Sequence, residues 1–99
     1  MAEHPLAIFE KTDPDLFKLM KETNALALAD GALPRKVKFL IAMALDAAHG
    51  ASDGVRSLAQ QAMQAGATRQ EVMEAIRVVQ YISGAGGAYT AARALKEIF

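Results

Sequence analysis

Asp46 and His49 lie three residues apart, close enough to share one helix face, and Asp53 follows four residues later. A carboxylate beside an imidazole can orient it as a general base, and two carboxylates with an imidazole can hold a divalent cation. An imidazole titrates near neutrality, which suits proton transfer. Helix-end effects account for the same residues. A histidine in a last turn meets the negative end of the helix dipole, and an aspartate just past a break is a natural cap. Other reactive types are scarce. These 99 residues hold no cysteine, which removes a disulfide framework, a thiolate metal site and thiol redox chemistry. His4 reads as solvated. Lys36 and Lys38 can hold an anion or simply face water, and Arg56 and Arg77 can pair with Asp53 or Glu74. The run Ser83-Gly84-Ala85-Gly86-Gly87 is no phosphate loop, because no strand precedes it and no Lys-Ser or Lys-Thr follows. Tyr81 and Tyr89 flank that run and read as buried tyrosines with backbone acceptors, or as hydroxyls serving a pocket.

The elements that must position these groups are all helical. No segment alternates as a strand does, and Val and Ile recur at helical spacing. Residues 1–12 read as an irregular arm. Asp13-Pro14 opens a helix whose apolar residues are Leu16, Leu19, Met20 and Leu26, and Asp30-Gly31 closes it. Pro34 opens a second helix. Val37, Leu40, Ile41, Ala44, Leu45 and Ala48 form one apolar face, and Phe39, Ala42, Met43 and Ala47 extend it nearly all round. Such a helix is central, lies at a subunit interface, or both. Gly50 breaks the chain, and Ser52 or Asp53 is placed to cap the third helix, which buries Val55, Leu58, Ala59, Ala62 and Met63. Gly66 is a left-handed stop. Thr68 with Glu71 is a capping box opening a fourth helix with Val72, Ala75, Ile76 and Val79 inward. The glycine run predicts a sharp bend or a close helix approach. A final helix from about Ala88 turns Ala91, Ala92, Leu95 and Ile98 inward.

The bulk numbers agree with one small domain spanning residues 1–99. A chain this short buries roughly 60–65% of its unfolded surface. An apolar content of 53% is high for a small monomer, so part of the surface is expected to pack against other copies. Eleven basic and eleven acidic residues cancel, which argues against nucleic acid. No stretch is long and apolar enough to span a bilayer, and Glu3 and His4 do not resemble a secretory leader, so the expected location is cytoplasmic.

Leu33-Pro34-Arg35-Lys36, the apolar helix after it, and the segment from Ala62 to Thr68 with Glu71 resemble the carboxymuconolactone decarboxylase family, which includes alkyl hydroperoxidase D. The resemblance covers roughly Leu33 to Phe99. It implies an all-α, alkyl hydroperoxidase D-like bundle of about five helices that assembles into hexamers or trimers. The redox branch carries Cys-x-x-Cys, a histidine one turn later, and a proton-shuttling glutamate. Counted from Gly66, these fall at Ala51, Gly54, Leu58 and Phe39. Neither a methyl nor a hydrogen supplies a thiolate. The lactone decarboxylase branch keeps the histidine, and leucine transfers no proton.

The expected function is therefore that of a non-redox relative without a cofactor. It retains an inter-helix pocket near Phe39, His49, Ala51, Gly54, Leu58 and Tyr81 for a small apolar or aromatic ligand. One alternative is a lyase, decarboxylase or isomerase using His49 with Asp46 or Asp53. Another is an oligomerisation module without activity.

Overall fold

The computed structural model describes residues 5–99. His4 lies outside the described residues. Pro5–Ala7 forms a 3-10 turn, followed by helices α1 (Ile8–Thr12), α2 (Pro14–Leu28), α3 (Arg35–Ala48), α4 (Ser52–Gln64) and α5 (Arg69–Leu95). The fold is all-α, with no strand among the described residues.

The segment expected to be irregular is wound from Pro5 onward. Thr12 Oγ1 donates to the Ile8 carbonyl at 2.9 Å, and the Asp13 amide to Phe9 at 2.9 Å, which closes a short helix of poor intrinsic propensity. Asp13 then caps α2, its carboxylate accepting from the Leu16 amide at 3.1 Å, with Pro14 in the first turn. α2 buries none of its residues, and Leu16, Leu19 and Leu26 are exposed.

The core is built by α3, α4 and α5. Met43, Val55 and Val72 are fully buried, one from each helix, and Ala47, Ala59, Ile76, Val79, Ala91, Ala94 and Leu95 surround them. A smaller cluster joins Phe39 to Ala62 and Ala67. Helix α3 buries Phe39, Met43 and Ala47. Of the other apolar face, Leu40 and Ala44 pack partly against the core while Ile41 and Leu45 are exposed, because α4 and α5 pack on the Phe39 side of α3.

Two glycine reversals join the core helices. Gly50 has φ 81°, the Ala51 amide bonds to the Asp46 carbonyl at 2.9 Å, and the Gly50 amide to Ala47 at 3.2 Å. This is a Schellman ending, which only a residue tolerant of positive φ can make cheaply. It places Ala51 at the N-cap of α4, so Ser52 and Asp53 are already inside the helix and neither caps it. Gly66 repeats the motif at the end of α4, with Ala67 bonded to the Ala62 carbonyl. The capping box of α5 is complete: Glu71 N to Thr68 Oγ1 at 3.0 Å, and Thr68 N to Glu71 Oε1 at 2.8 Å.

The expected bend is at Gly84, with φ 70° and ψ −158° inside α5. Without it, Ala91 would sit about 120° around the helix from Val79. With it, both legs of α5 face one core. Thr90 and Ala94 are buried in the second leg, and Ala92 is exposed rather than inward. Thr90 satisfies its hydroxyl by donating to the Gly86 carbonyl at 3.1 Å. Tyr81 and Tyr89 are 82% and 67% exposed, not buried, since each lies on the outer side of its leg.

Candidate functional site

The Gly50 reversal makes α3 and α4 an antiparallel hairpin, and the candidate residues spread along it. At the turn end, Asp46 is partly buried and its carboxylate lies directly over the backbone of Gly54. A Cβ built on Gly54 would overlap that carboxylate. The position is thus open to Asp46 because Gly54 has no side chain. Asp46 is held from the other side as well, because its carbonyl closes the Schellman ending. Its carboxylate accepts no hydrogen bond from any described residue, so it keeps all its acceptor capacity at the N-terminal end of α4, where the helix dipole favours an anion.

His49 and Asp53 do not join it. His49 is the exposed C-cap of α3, its backbone amide donating to the Leu45 carbonyl at 3.0 Å, where the dipole explains its presence. The side chain of Asp53 is 91% exposed and pairs with Arg56 at 3.0 Å. Arg56 also meets Glu97 at 2.6 Å, and that hydrogen bond is the main reason the guanidinium stays protonated above its ordinary range. Among the described residues no three His, Cys, Asp or Glu side chains gather closely enough to hold a metal ion, so Asp46, His49 and Asp53 form no such set.

The other pocket candidates separate likewise. Ala51 is exposed at the turn, and Leu58 sits midway along the hairpin, touching both core clusters. Tyr81 is exposed on the first leg of α5. Phe39 is buried at the open end of the hairpin and forms one wall of a groove of about 440 Å³. Asp30, Arg35, Lys36, Gln61 and Gln64 line the same groove.

Side-chain ties hold this open end. Lys36 bridges to Glu71 at 2.9 Å, joining the start of α3 to the start of α5. That hydrogen bond, then the one from the Thr68 amide, keeps the Glu71 carboxyl below its ordinary range. Lys38 donates to the Ala29 carbonyl at 2.6 Å, and the Arg35 amide to Asp30 Oδ1 at 2.7 Å, which fixes the connection from α2. Both lysines are engaged within the chain. The capping box was legible as a motif. The Lys36–Glu71 pairing and the Asp46–Gly54 fit were not, since each depends on how separate helices dock.

The carboxymuconolactone decarboxylase family model matches residues 14–97. An uncharacterised protein from Cupriavidus necator is 39% identical over 69 residues, which cover 70% of this chain and 61% of that protein. The chain therefore spans less than two thirds of the length of that relative. The crystal structure of an apo carboxymuconolactone decarboxylase family protein from Legionella pneumophila superposes with a TM-score of 0.86 at 35% identity, covering 92% of this chain and 81% of that one.

Proposed function

Because the chain belongs to the carboxymuconolactone decarboxylase family, we propose that it is a non-thiol member that binds a small apolar or aromatic ligand at the turn end of the α3–α4 hairpin. The observation that carries this reading is the Asp46 carboxylate seated against Gly54. Where the redox branch has its second cysteine, this chain has a bare backbone and an ionisable group beside it. With no cysteine in these residues, thiol peroxidase chemistry has no nucleophile here.

Assembly into a homo-oligomer, a hexamer first and a trimer next, belongs to the same proposal. Helix α2 buries nothing, and Leu19, Leu26, Val78, Tyr81 and Ile82 are exposed. The radius of gyration is 14.3 Å, against about 13 Å for a compact chain of this size. Covering α2 and the outer side of α5 with further copies removes that apolar area from water. A cytoplasmic location fits this reading, and no helix among the described residues is long and apolar enough to cross a membrane.

Asp46 also favours a second reading, an acid–base lyase, decarboxylase or isomerase. A carboxylate with no hydrogen-bond donor among the described residues can take a proton from carbon next to a lactone or carboxyl group. The electron pair moves into the neighbouring carbonyl, and the protonated acid returns its proton to carbon. His49 is near enough in sequence to assist once a substrate or a second copy orders it.

Titrating the intact protein with a panel of lactones and aromatic acids, followed by NMR, tests binding. Shifts at Asp46, Gly54 and Leu58 that vanish in Asp46→Asn are expected. A panel that moves nothing at the turn end removes both readings. Turnover abolished in Asp46→Asn and bound ligand retained would select the enzyme. Light scattering on a gel-filtered sample gives the mass, and a monomer at micromolar concentration removes the assembly.

A further inference from the structure

The groove at the open end of the hairpin is a separate feature from the Asp46–Gly54 contact, and its polar groups are unevenly satisfied. Arg35 lies with its guanidinium carbon 5.2 Å from the centre of the Phe39 ring. Phe39 is 3% exposed, so the ring is a fixed platform. A guanidinium resting on a ring face keeps its in-plane N–H donors directed outward. Arg35 makes no ion pair or side-chain hydrogen bond with any described residue, although Asp30 lines the same groove. Lys36, the other cation there, is already neutralised by Glu71.

Three side chains lining the same groove hold spare acceptors: Asp30, Gln61 and Gln64, the last of which makes no side-chain hydrogen bond with any described residue. Asp30 uses only Oδ1, which accepts the Arg35 amide, and leaves Oδ2. Gln61 uses only its amide nitrogen, which donates to Ser57 Oγ at 3.1 Å and to the Ser57 carbonyl at 3.3 Å, and leaves Oε1. The groove thus presents one forked cation without an ion pair and three spare side-chain acceptors in about 440 Å³. That volume falls in the range of small-ligand sites.

We infer that this groove binds a small monocarboxylate that carries a hydroxyl or ammonium donor. The carboxylate accepts two N–H bonds from Arg35 in a fork-to-fork geometry. The ligand donor meets Asp30 Oδ2 or Gln61 Oε1. The charge of Asp30 opposes a second carboxylate, so a dianion of equal length is excluded. Pro34 and Ala65 give the carbon chain an apolar wall. This site does not rest on the proposed role of Asp46, and either can fail without the other.

The test uses the intact protein and three probes of one length: 4-hydroxybutyrate, butyrate and succinate. Calorimetry and amide shifts of Arg35, Phe39 and Gln61 report binding. The expected order places 4-hydroxybutyrate first, with butyrate and succinate each weaker by roughly fivefold or more, since each loses one hydrogen bond or meets one like charge. Arg35→Gln should weaken 4-hydroxybutyrate by roughly tenfold or more, as expected for a lost charged hydrogen bond. Arg35→Lys, which keeps the charge without the fork, should recover only part of it. Asp30→Asn keeps an oxygen for the Arg35 amide and should bring succinate level with 4-hydroxybutyrate. Circular dichroism confirms that each variant is folded. Binding of no probe, equal binding of succinate and 4-hydroxybutyrate by the unaltered protein, or full affinity in folded Arg35→Gln overturns the inference.

Discussion

The two ends of the α3–α4 hairpin are held by opposite means. At the turn end, order comes from the backbone and from missing side chains. Gly50 reverses the chain, the Asp46 carbonyl takes the Ala51 amide, and Gly54 makes room for a carboxylate. At the open end, order comes from side chains that reach between elements: Lys36 to Glu71, Lys38 to Ala29, Arg35 onto Phe39. Among the described residues, the first end leaves an anion without a hydrogen-bond donor, and the second leaves a cation without an ion pair. A hairpin built this way can change its reactive groups at the turn while its distant ties keep the helices in register.

Four substitutions, one of them repeated in an Asp46→Ala background, can break or sharpen that contrast. The largest effect is expected at the open end. Phe39→Ala removes a buried ring that joins Ala62 and Ala67, and should cost about 3–5 kcal/mol by urea unfolding. A loss below about 1 kcal/mol would show that the smaller cluster contributes little.

Next is Gly54→Ala. The new methyl meets the Asp46 carboxylate and should destabilise by about 1–3 kcal/mol despite better helix propensity. In an Asp46→Ala background the same change should stabilise by about 0.5–1 kcal/mol, because only the propensity gain remains. The same sign in both backgrounds would separate the two residues and end the argument from their fit.

Thr68→Ala deletes the hydroxyl that caps α5 and should cost about 1 kcal/mol in the same assay. The last test concerns pH. The Glu71 carboxyl is held below its ordinary range by Lys36 and then by the Thr68 amide. Its stabilisation is therefore fully present above the usual carboxylate range and is lost as pH falls through the lowered value. Glu71→Gln should flatten that acid-side decline without altering the slope above it. Equal acid sensitivity in both proteins would place the decline at other carboxylates.

Much of the fold was legible because it depends on local rules. Asp13-Pro14, Gly50, Gly66 and Thr68 with Glu71 act within a few residues of themselves, and each ends or starts a helix as expected. The inward faces of α4 and of the first leg of α5 follow from spacing. What escaped depends on docking. Whether α3 buries Ile41 or Phe39 is decided by the side on which α4 and α5 pack, and both faces are apolar in sequence. Asp53 gave a capping signal that Ala51 overrode, since the Schellman ending sets where α4 begins. The candidate trio Asp46, His49 and Asp53 was close in sequence, but a tight reversal turns neighbours away from one another, and only Asp46 lies against Gly54.

The Gly84 break has a consequence for the reach of α5. Its 27 residues, run straight, would form a rod of about 40 Å, as long as the 39 Å greatest dimension of the molecule. The far half would then leave the body like a handle. Folded at Gly84, it instead lays Ala91, Ala94 and Leu95 over the Met43, Val55 and Val72 centre as a lid. A residue with no side chain sets whether the last dozen positions enclose the core or leave it.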